Sequence, residues 1–229
     1  MTVRLVIASY NIHGGVGLDR RFVPRRIADV LAELAADIVA LQEVESRATG
    51  FDMLGYLRDA TGYAAVAGPT LVRADGDFGN ALLTRLPIRR VRLIDLNVDR
   101  REPRGAIDAR LEADGMPLRV VATHLGLRPA ERREQVQRLL IELRGATDAP
   151  TILAGDLNEW FLWGRPLRWL HGHFGETPAR ATFPSSLPLF ALDRLWTAPA
   201  DALRGVRAHA SRLARHASDH LPLVAELEF

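Results

Sequence analysis

The chain has 229 residues, with 30 Lys+Arg against 28 Asp+Glu and a formal net charge of +2. Every one of those cations is an arginine, and there is no cysteine. These absences exclude disulfides, thiolate metal sites and cysteine nucleophiles, and equally Schiff bases and P-loop lysines.

Val3–Tyr10 reads as a strand and lacks the longer apolar stretch and cleavage site of a signal peptide. Gly14-Gly15-Val16-Gly17 follows it, but Arg20 stands where the third glycine of a dinucleotide fingerprint belongs. Pro24 opens a helix with Ile27, Val30, Leu31 and Leu34 at helical spacing. Strand-like runs follow at Ile38–Leu41, Ala81–Leu83, Val91–Leu96, Ala106–Leu111 and Leu118–Thr123, with Asp114-Gly115 as a hairpin turn between the last two. Pro129 opens a second helix, with Val136, Leu139, Leu140 and Leu143 on one face. A strand at Thr151–Ala154 and a third helix over Gly164–His171 come next. Strands at Leu192–Trp196, Gly205–Ala210 and Pro222–Phe229 end the chain. Many strands, hairpins and a few helices point to an α/β protein of two packed mixed sheets flanked by helices, rather than a purely parallel wound sheet. With 48% hydrophobic and 25% charged residues and no dividing linker, residues 1–229 form a single domain.

Ligand-capable residues recur where the strand-like runs end. Asn11 and His13 close the first, Gln42 and Glu43 the second, and His124 a middle one; Asp156 and Asn158 follow Thr151–Ala154. Asp193 lies inside the Leu192–Trp196 run, and Asp219-His220 precede the last strand. Each group by itself is what ordinary turns carry. Together they are candidates to converge on one rim of a sheet sandwich.

In this order the motifs resemble the endonuclease/exonuclease/phosphatase superfamily, the DNase I-like metal-dependent phosphoesterases. The resemblance runs from Ser9-Tyr10-Asn11-Ile12-His13 through Leu41-Gln42-Glu43-Val44, Gly79-Asn80-Ala81, Thr123-His124, Gly155-Asp156-Leu157-Asn158-Glu159 and Leu192-Asp193 to Ser218-Asp219-His220-Leu221-Pro222. It implies a four-layer α/β sandwich. It also implies a magnesium ion, with manganese as a substitute, held by Glu43 with Asn11 and Asp219 beside it. Asp156 is then the carboxylate that orients or deprotonates water, and Asn158 an amide on a phosphate oxygen. His220 is a catalytic histidine held by Asp193, and His124 the second histidine. His13, Asn80 and Arg104 are candidate phosphate contacts, with Asn80 also the candidate partner of His124. Diester hydrolysis needs an aligned water, a cation on a non-bridging oxygen and donors for charge developing at phosphorus. A histidine beside a carboxylate is either a cationic donor to phosphate or a base, and the choice of base between Asp156 and His220 stays open.

His171-Gly172-His173 lacks the rest of a zinc motif and reads as surface or loop histidines; no G-x-S-x-G is present. The aromatic stretch Glu159–Leu170 suits base stacking or shallow insertion into a membrane interface, while the plainer reading is a short helix burying Leu167, Leu170 and a tryptophan. The pI of 9.6 records that all cations are arginine, and near-zero net charge does not favour extensive duplex contacts. The expected partner is a phosphate ester: a nucleic acid, a phospholipid head group or a small metabolite. Peripheral membrane contact is compatible with the sequence, no run has the length of a transmembrane span, and a cytoplasmic site is the default. The competing class is a non-catalytic phosphate- or partner-binding member of the same fold; no oligomeric state is specified.

Overall fold

A computed structural model describes residues 2–46, 50–72, 76–144 and 149–229. Two mixed sheets stack face to face. In the first, β1 (Arg4–Asn11) pairs in parallel with β2 (Ile38–Glu45) and antiparallel with β11 (Leu223–Glu228). With β3 (Ala64–Leu71), β4 (Phe78–Thr84) and β10 (Leu203–Ala208), the strand order is β10-β11-β1-β2-β4-β3. The second sheet runs in chain order through β5 (Ile88–Asp95), β6 (Gly105–Ala113), β7 (Met116–His124), β8 (Thr151–Asp156) and β9 (Asp193–Ala198). Only β7 and β8 run parallel there.

The helices form where the apolar spacing requires. In α1 (Pro24–Leu34), Pro24 occupies the first turn, where its missing N–H costs nothing, and Ile27, Val30, Leu31 and Leu34 are buried. In α3 (Pro129–Leu143) the Glu131 carboxylate turns back to accept from the Arg128 amide at 3.4 Å, while Val136, Leu139 and Leu143 are buried. The Asp114-Gly115 turn has φ of 50° and 83°, the paired positive values of a tight hairpin, and it joins β6 to β7 as expected.

Three apolar layers result. Leu5, Ile7, Ile38, Ala40, Val120, Ala122, Ile152, Ala154 and Leu195 fill the space between the sheets. The outer face of the first sheet carries α1 and α2 (Met53–Thr61), packed on Ala8, Tyr10, Val39 and Leu41. The outer face of the second carries α3 and α4 (Arg165–Phe174), packed on Val121, Leu153 and Trp196. This is the four-layer sandwich. Burying each large aliphatic side chain stabilises the fold by about 1.5–3 kcal/mol, so the alternation along every strand fixes which face turns inward.

Several elements differ from the sequence expectation. α2 and β3 emerge only in the structure. α2 fully buries just Met53 and Leu57, and β3 is an edge strand whose Gly68 and Pro69 are poor strand formers. β9 starts at Asp193, one residue later than expected, so Asp193 is its first residue. α4 extends through His171 and His173, so both histidines are helical, and Trp196 Nε1 donates to His171 Nδ1 at 3.2 Å. Among the described residues, no helix is long and apolar enough to cross a membrane.

Candidate active site

Side chains alternate across a strand, so each inter-sheet row can be followed to its end. The rows read Ile7, Ser9, Asn11 on β1; Ile38, Ala40, Gln42 on β2; Val120, Ala122, His124 on β7; and Ile152, Ala154, Asp156 on β8. On antiparallel β9 the row runs from Leu195 back to Asp193. Every row is apolar in the middle and polar at the same rim. The candidate site is the continuation of the inter-sheet core to its edge, with the two sheets serving as a rigid mount.

Backbone geometry refines this placement. The β2–β4 register passes from Leu41 opposite Ala81 to Val44 opposite Gly79, a bulge in which Glu43 takes φ 56°. Bulges re-aim a side chain, and here Glu43 Oε1 accepts from Asn11 Nδ2 at 3.0 Å. The same Nδ2 reaches Asp156 Oδ2 at 3.2 Å, so Asn11 ties the carboxylates of the two sheets together. Asn158 also has positive φ, 51°, with its amide N–H donating to Asp156 Oδ1 at 2.8 Å and its side-chain Nδ2 donating to Leu125 O at 2.9 Å. Such left-handed conformations of non-glycine residues concentrate at functional sites.

His220 is seated between two carboxylates. Its Nδ1 donates to Asp193 Oδ2 at 2.8 Å, and its Nε2 lies 3.7 Å from Asp156 Oδ2. Thr182 Oγ1 donates to the same Asp193 oxygen at 2.6 Å, and Phe183 stacks on the imidazole at 4.9 Å between centroids. Burial alone would lower the His220 pKa, but the charge and hydrogen bond of Asp193, helped by Asp156 and Asp219, push it up to about 10. The ring is therefore cationic at neutral pH. His124 is the opposite case. Burial, reinforced by the Arg104 and His220 charges against the pull of Asp156, pushes it down to about 3, and it is neutral. Its Nε2 lies 3.5 Å from Asp156 Oδ2 and 3.0 Å from Asn158 Nδ2. Arg104 Nη1 approaches Nδ1 at 3.3 Å; guanidinium and the Asn158 Nδ2 group both only donate, so the two contacts compete for the single acceptor nitrogen of the neutral ring.

Glu43 is half-buried, and its pKa is raised by desolvation and by Asp219 and Asp156, partly countered by the Asn11 hydrogen bond. The buried carboxylates of Asp156 and Asp193 and the His220 ring form a cluster whose donor atoms lie within 4.8 Å of one another, able to hold a divalent ion. Asp193 Oδ1 is buried with no hydrogen-bond partner among the described residues. The oxygen donors crowded at this rim, Asp156 and the Asp193 oxygen left unsatisfied together with Glu43 and the Asn11 amide, fit a hard divalent cation, which a protonated His220 would border rather than ligate.

Asn11, Glu43, His124, Asp156, Asn158, Asp193, Asp219 and His220 thus meet at one rim. Three candidates stand differently. Arg104 is buried behind His124 rather than exposed as a surface cation, with Glu102 on its other side at 3.2 Å. Asn80 donates to Gly105 O at 2.9 Å, so the partner of His124 Nδ1 is Arg104 and not Asn80. Asn80 also lines, with Val44 and Gly68, a cavity of about 300 Å³ beside the site. His13 is exposed, with Nδ1 at 3.1 Å from Val16 O and 4.0 Å from Asp219 Oδ1. Thr182 and Phe183 lie in a coil without any motif, and no sequence signal singles them out. Ser218, within the quoted Ser218-Asp219-His220 motif, donates to Asn11 O at 2.7 Å and so joins the first and last strands at the site.

Residues 8–220 match the Endonuclease/Exonuclease/phosphatase family, and the chain belongs to that family. It is 33% identical, over 96% of its length and 95% of the relative's, to the uncharacterized protein YbhP of Escherichia coli strain K12. Its fold is similar to that of an endonuclease/exonuclease/phosphatase from Beutenbergia cavernae, with TM-score 0.77 and 20% identity, covering 98% of this chain and 71% of that one. A functionally unknown protein from Enterococcus faecalis is similar too, with TM-score 0.81 and 18% identity, covering 96% and 98% of the two chains. Family and buried Asp–Asp–His cluster together make this the site of a metal-dependent hydrolase acting on phosphoester bonds.

Proposed function

We propose that the chain hydrolyses a phosphodiester by direct attack of water, with magnesium as the resident ion and manganese as a substitute. The observation that carries this reading is the setting of His220, a cation held by Asp193 and aimed past Asp156. Glu43, Asn11 and Asp219 would hold the ion, with Asp156 next to them through Asn11. When bound, it supplies positive charge to a non-bridging phosphate oxygen.

The chain's own groups perform the rest. His220 is already protonated at neutral pH, so it serves as a donor to phosphate and leaves Asp156 as the group that orients water and accepts its proton. Neutral His124 faces the same region and adds no charge there. Asn158 stands beside it as an amide donor for a phosphate oxygen. Arg104 acts through His124 by holding the ring from its Nδ1 side. Asn80 and His13 border the site, at the cavity and at Asp219, as further phosphate contacts.

A substrate panel tests the reading: a bis-aryl phosphate diester, an aryl monoester, single- and double-stranded DNA, and phospholipid, each with EDTA and with magnesium. The diester is turned over only with the metal, and Asp156→Ala and His220→Ala each remove that turnover. Absence of metal-dependent turnover across the whole panel would overturn it.

A further inference from the structure

Three segments leaving the catalytic residues end in exposed apolar side chains. After His124 the chain reaches Leu127; after Asn158 it runs through Trp160, Phe161, Leu162 and Trp163; the coil before Asp193 carries Leu187 and Leu189. Trp163 is 72% exposed and Leu187 is 66% exposed, values opposite to what a free-standing core-forming segment would show. The plainer reading of the aromatic stretch holds for Leu167 and Leu170, buried in α4, and for Trp169 packed against them. Residues 160–163 do the reverse.

These segments are held in place. The Arg132 guanidinium pairs with Glu159 Oε2 at 3.2 Å and donates to Leu127 O at 2.7 Å, and Glu159 Oε1 accepts from the Phe161 amide at 3.2 Å. One buried ion pair therefore binds the Leu127 and Trp160–Trp163 loops side by side. The third loop is closed by backbone bonds between Phe183 and Phe190 and anchored to Asp219 through the Ser185 amide at 2.7 Å. Trp160 packs on Phe190 and Phe183, at 4.8 and 5.8 Å between centroids, and Phe183 packs on His220. An unbroken line of rings runs from the catalytic histidine to the exposed rim.

We infer that this rim docks the protein on an anionic phospholipid bilayer and presents a phospholipid head-group ester to the site; this rests on the phosphoesterase reading above. A rigid apolar rim around a catalytic mouth is the form that shallow insertion into the acyl boundary requires, with tryptophan at the headgroup level. Its charge suits an anionic surface: Arg128, Arg165 and Arg168 are exposed beside the aromatic and leucine loops, Glu131 and Glu159 are buried, and residues 183–192 carry no charge. Leu127, Leu162, Leu187 and Leu189 offer nothing on which a base stacks, which disfavours single-stranded nucleic acid as the occupant. In the reaction, the water oxygen bonds to phosphorus, one P–O ester bond breaks, and the departing alcohol takes the proton.

The experiment separates docking from chemistry. Asp156→Ala protein, with Trp163→Ser/Leu189→Ser added or not, is sedimented with vesicles of phosphatidylcholine alone or mixed with phosphatidylglycerol. The protein with an intact rim is expected to sediment with the phosphatidylglycerol vesicles, with blue-shifted tryptophan emission, and the rim variant to lose about tenfold or more in partition. In the otherwise wild-type chain, the rim variant is expected to keep its turnover of a water-soluble diester and to lose about tenfold on vesicle phospholipid. Four results would overturn the inference. The protein stays in the supernatant with both vesicles; or it forms dimers, without binding vesicles, that the same variant dissolves; or single-stranded DNA, and not lipid, quenches the rim tryptophans; or the variant loses soluble and vesicle activity equally. Intact vesicle binding with no phosphoester turnover would mark failure of the catalytic reading instead.

Discussion

Asp156 and Asp193 stand directly opposite each other across the antiparallel β8–β9 ladder, and His220 lies between their carboxylates. Like charges placed opposite on neighbouring strands repel, and burial magnifies the repulsion. The imidazolium compensates both, which is why this histidine gains its proton where burial alone would remove it. Replacing Asp193 by Asn keeps the shape and removes the charge. We expect kcat/KM for diester hydrolysis to fall about 10³-fold and the alkaline limb of its pH profile to move to lower pH. Thr182→Val, which removes one hydrogen bond from the same oxygen, should cost about tenfold and move the limb less.

The two histidines give stability opposite dependences on pH. In metal-free protein, His220 is held at about 10 against an ordinary 6.5, so its contribution is complete below 6.5 and is lost as pH rises towards 10. His124 is held at about 3, so the unfolded chain binds the extra proton between about 3 and 6.5, and stability falls as pH drops through that window. Urea unfolding in EDTA, with His220→Gln and His124→Gln as controls, should show the alkaline loss vanish in the first variant and part of the acid loss vanish in the second. Unchanged slopes in both would contradict these protonation states.

Gly155 lies between the paired residues of β7 and β8, opposite Thr123, with φ 157°. A Cβ there would collide with the Thr123 carbonyl and push apart the register that sets His124 opposite Asp156. Gly155→Ala should destabilise the protein by about 1–3 kcal/mol, measured by denaturant unfolding, and reduce turnover even where the protein remains folded.

Arg104 and His124 form a fourth test. Arg104→Leu removes both the donor to Nδ1 and a nearby charge, so the His124 pKa should rise from about 3. Imidazole resonances followed by NMR against pH report this directly. Turnover should fall about tenfold as the ring loses its Nδ1 partner.

Much of this arrangement was legible in the sequence because the strands alternate so cleanly. Ile7, Ile152 and Ala154 announce an inward face, and Asn11 and Asp156 continue it in steps of two residues. The Asp114-Gly115 hairpin and the proline-led helices α1 and α3 follow from local chemistry and appear as expected. What escaped depends on contacts between distant segments. β3 forms because β4 offers it an edge, not because its Ala-rich sequence, interrupted by Gly68-Pro69, favours extension. Thr182 and Phe183 reach Asp193 and His220 from a coil that no motif marks. The pairing of Arg104 with His124 links neighbouring strands β6 and β7 through a residue just before β6, where local spacing assigns no partner.

The most direct test of the central claim is hydrolysis of a bis-aryl phosphate diester by metal-stripped protein in water enriched in oxygen-18, before and after magnesium is added, alongside Asp156→Asn. No turnover is expected without the ion, and turnover is expected with it. One label should enter the phosphoryl product and none the released phenol, and the rate should fall about 10³-fold in the variant. Turnover that ignores both the metal and Asp156, or label in the phenol, would contradict it.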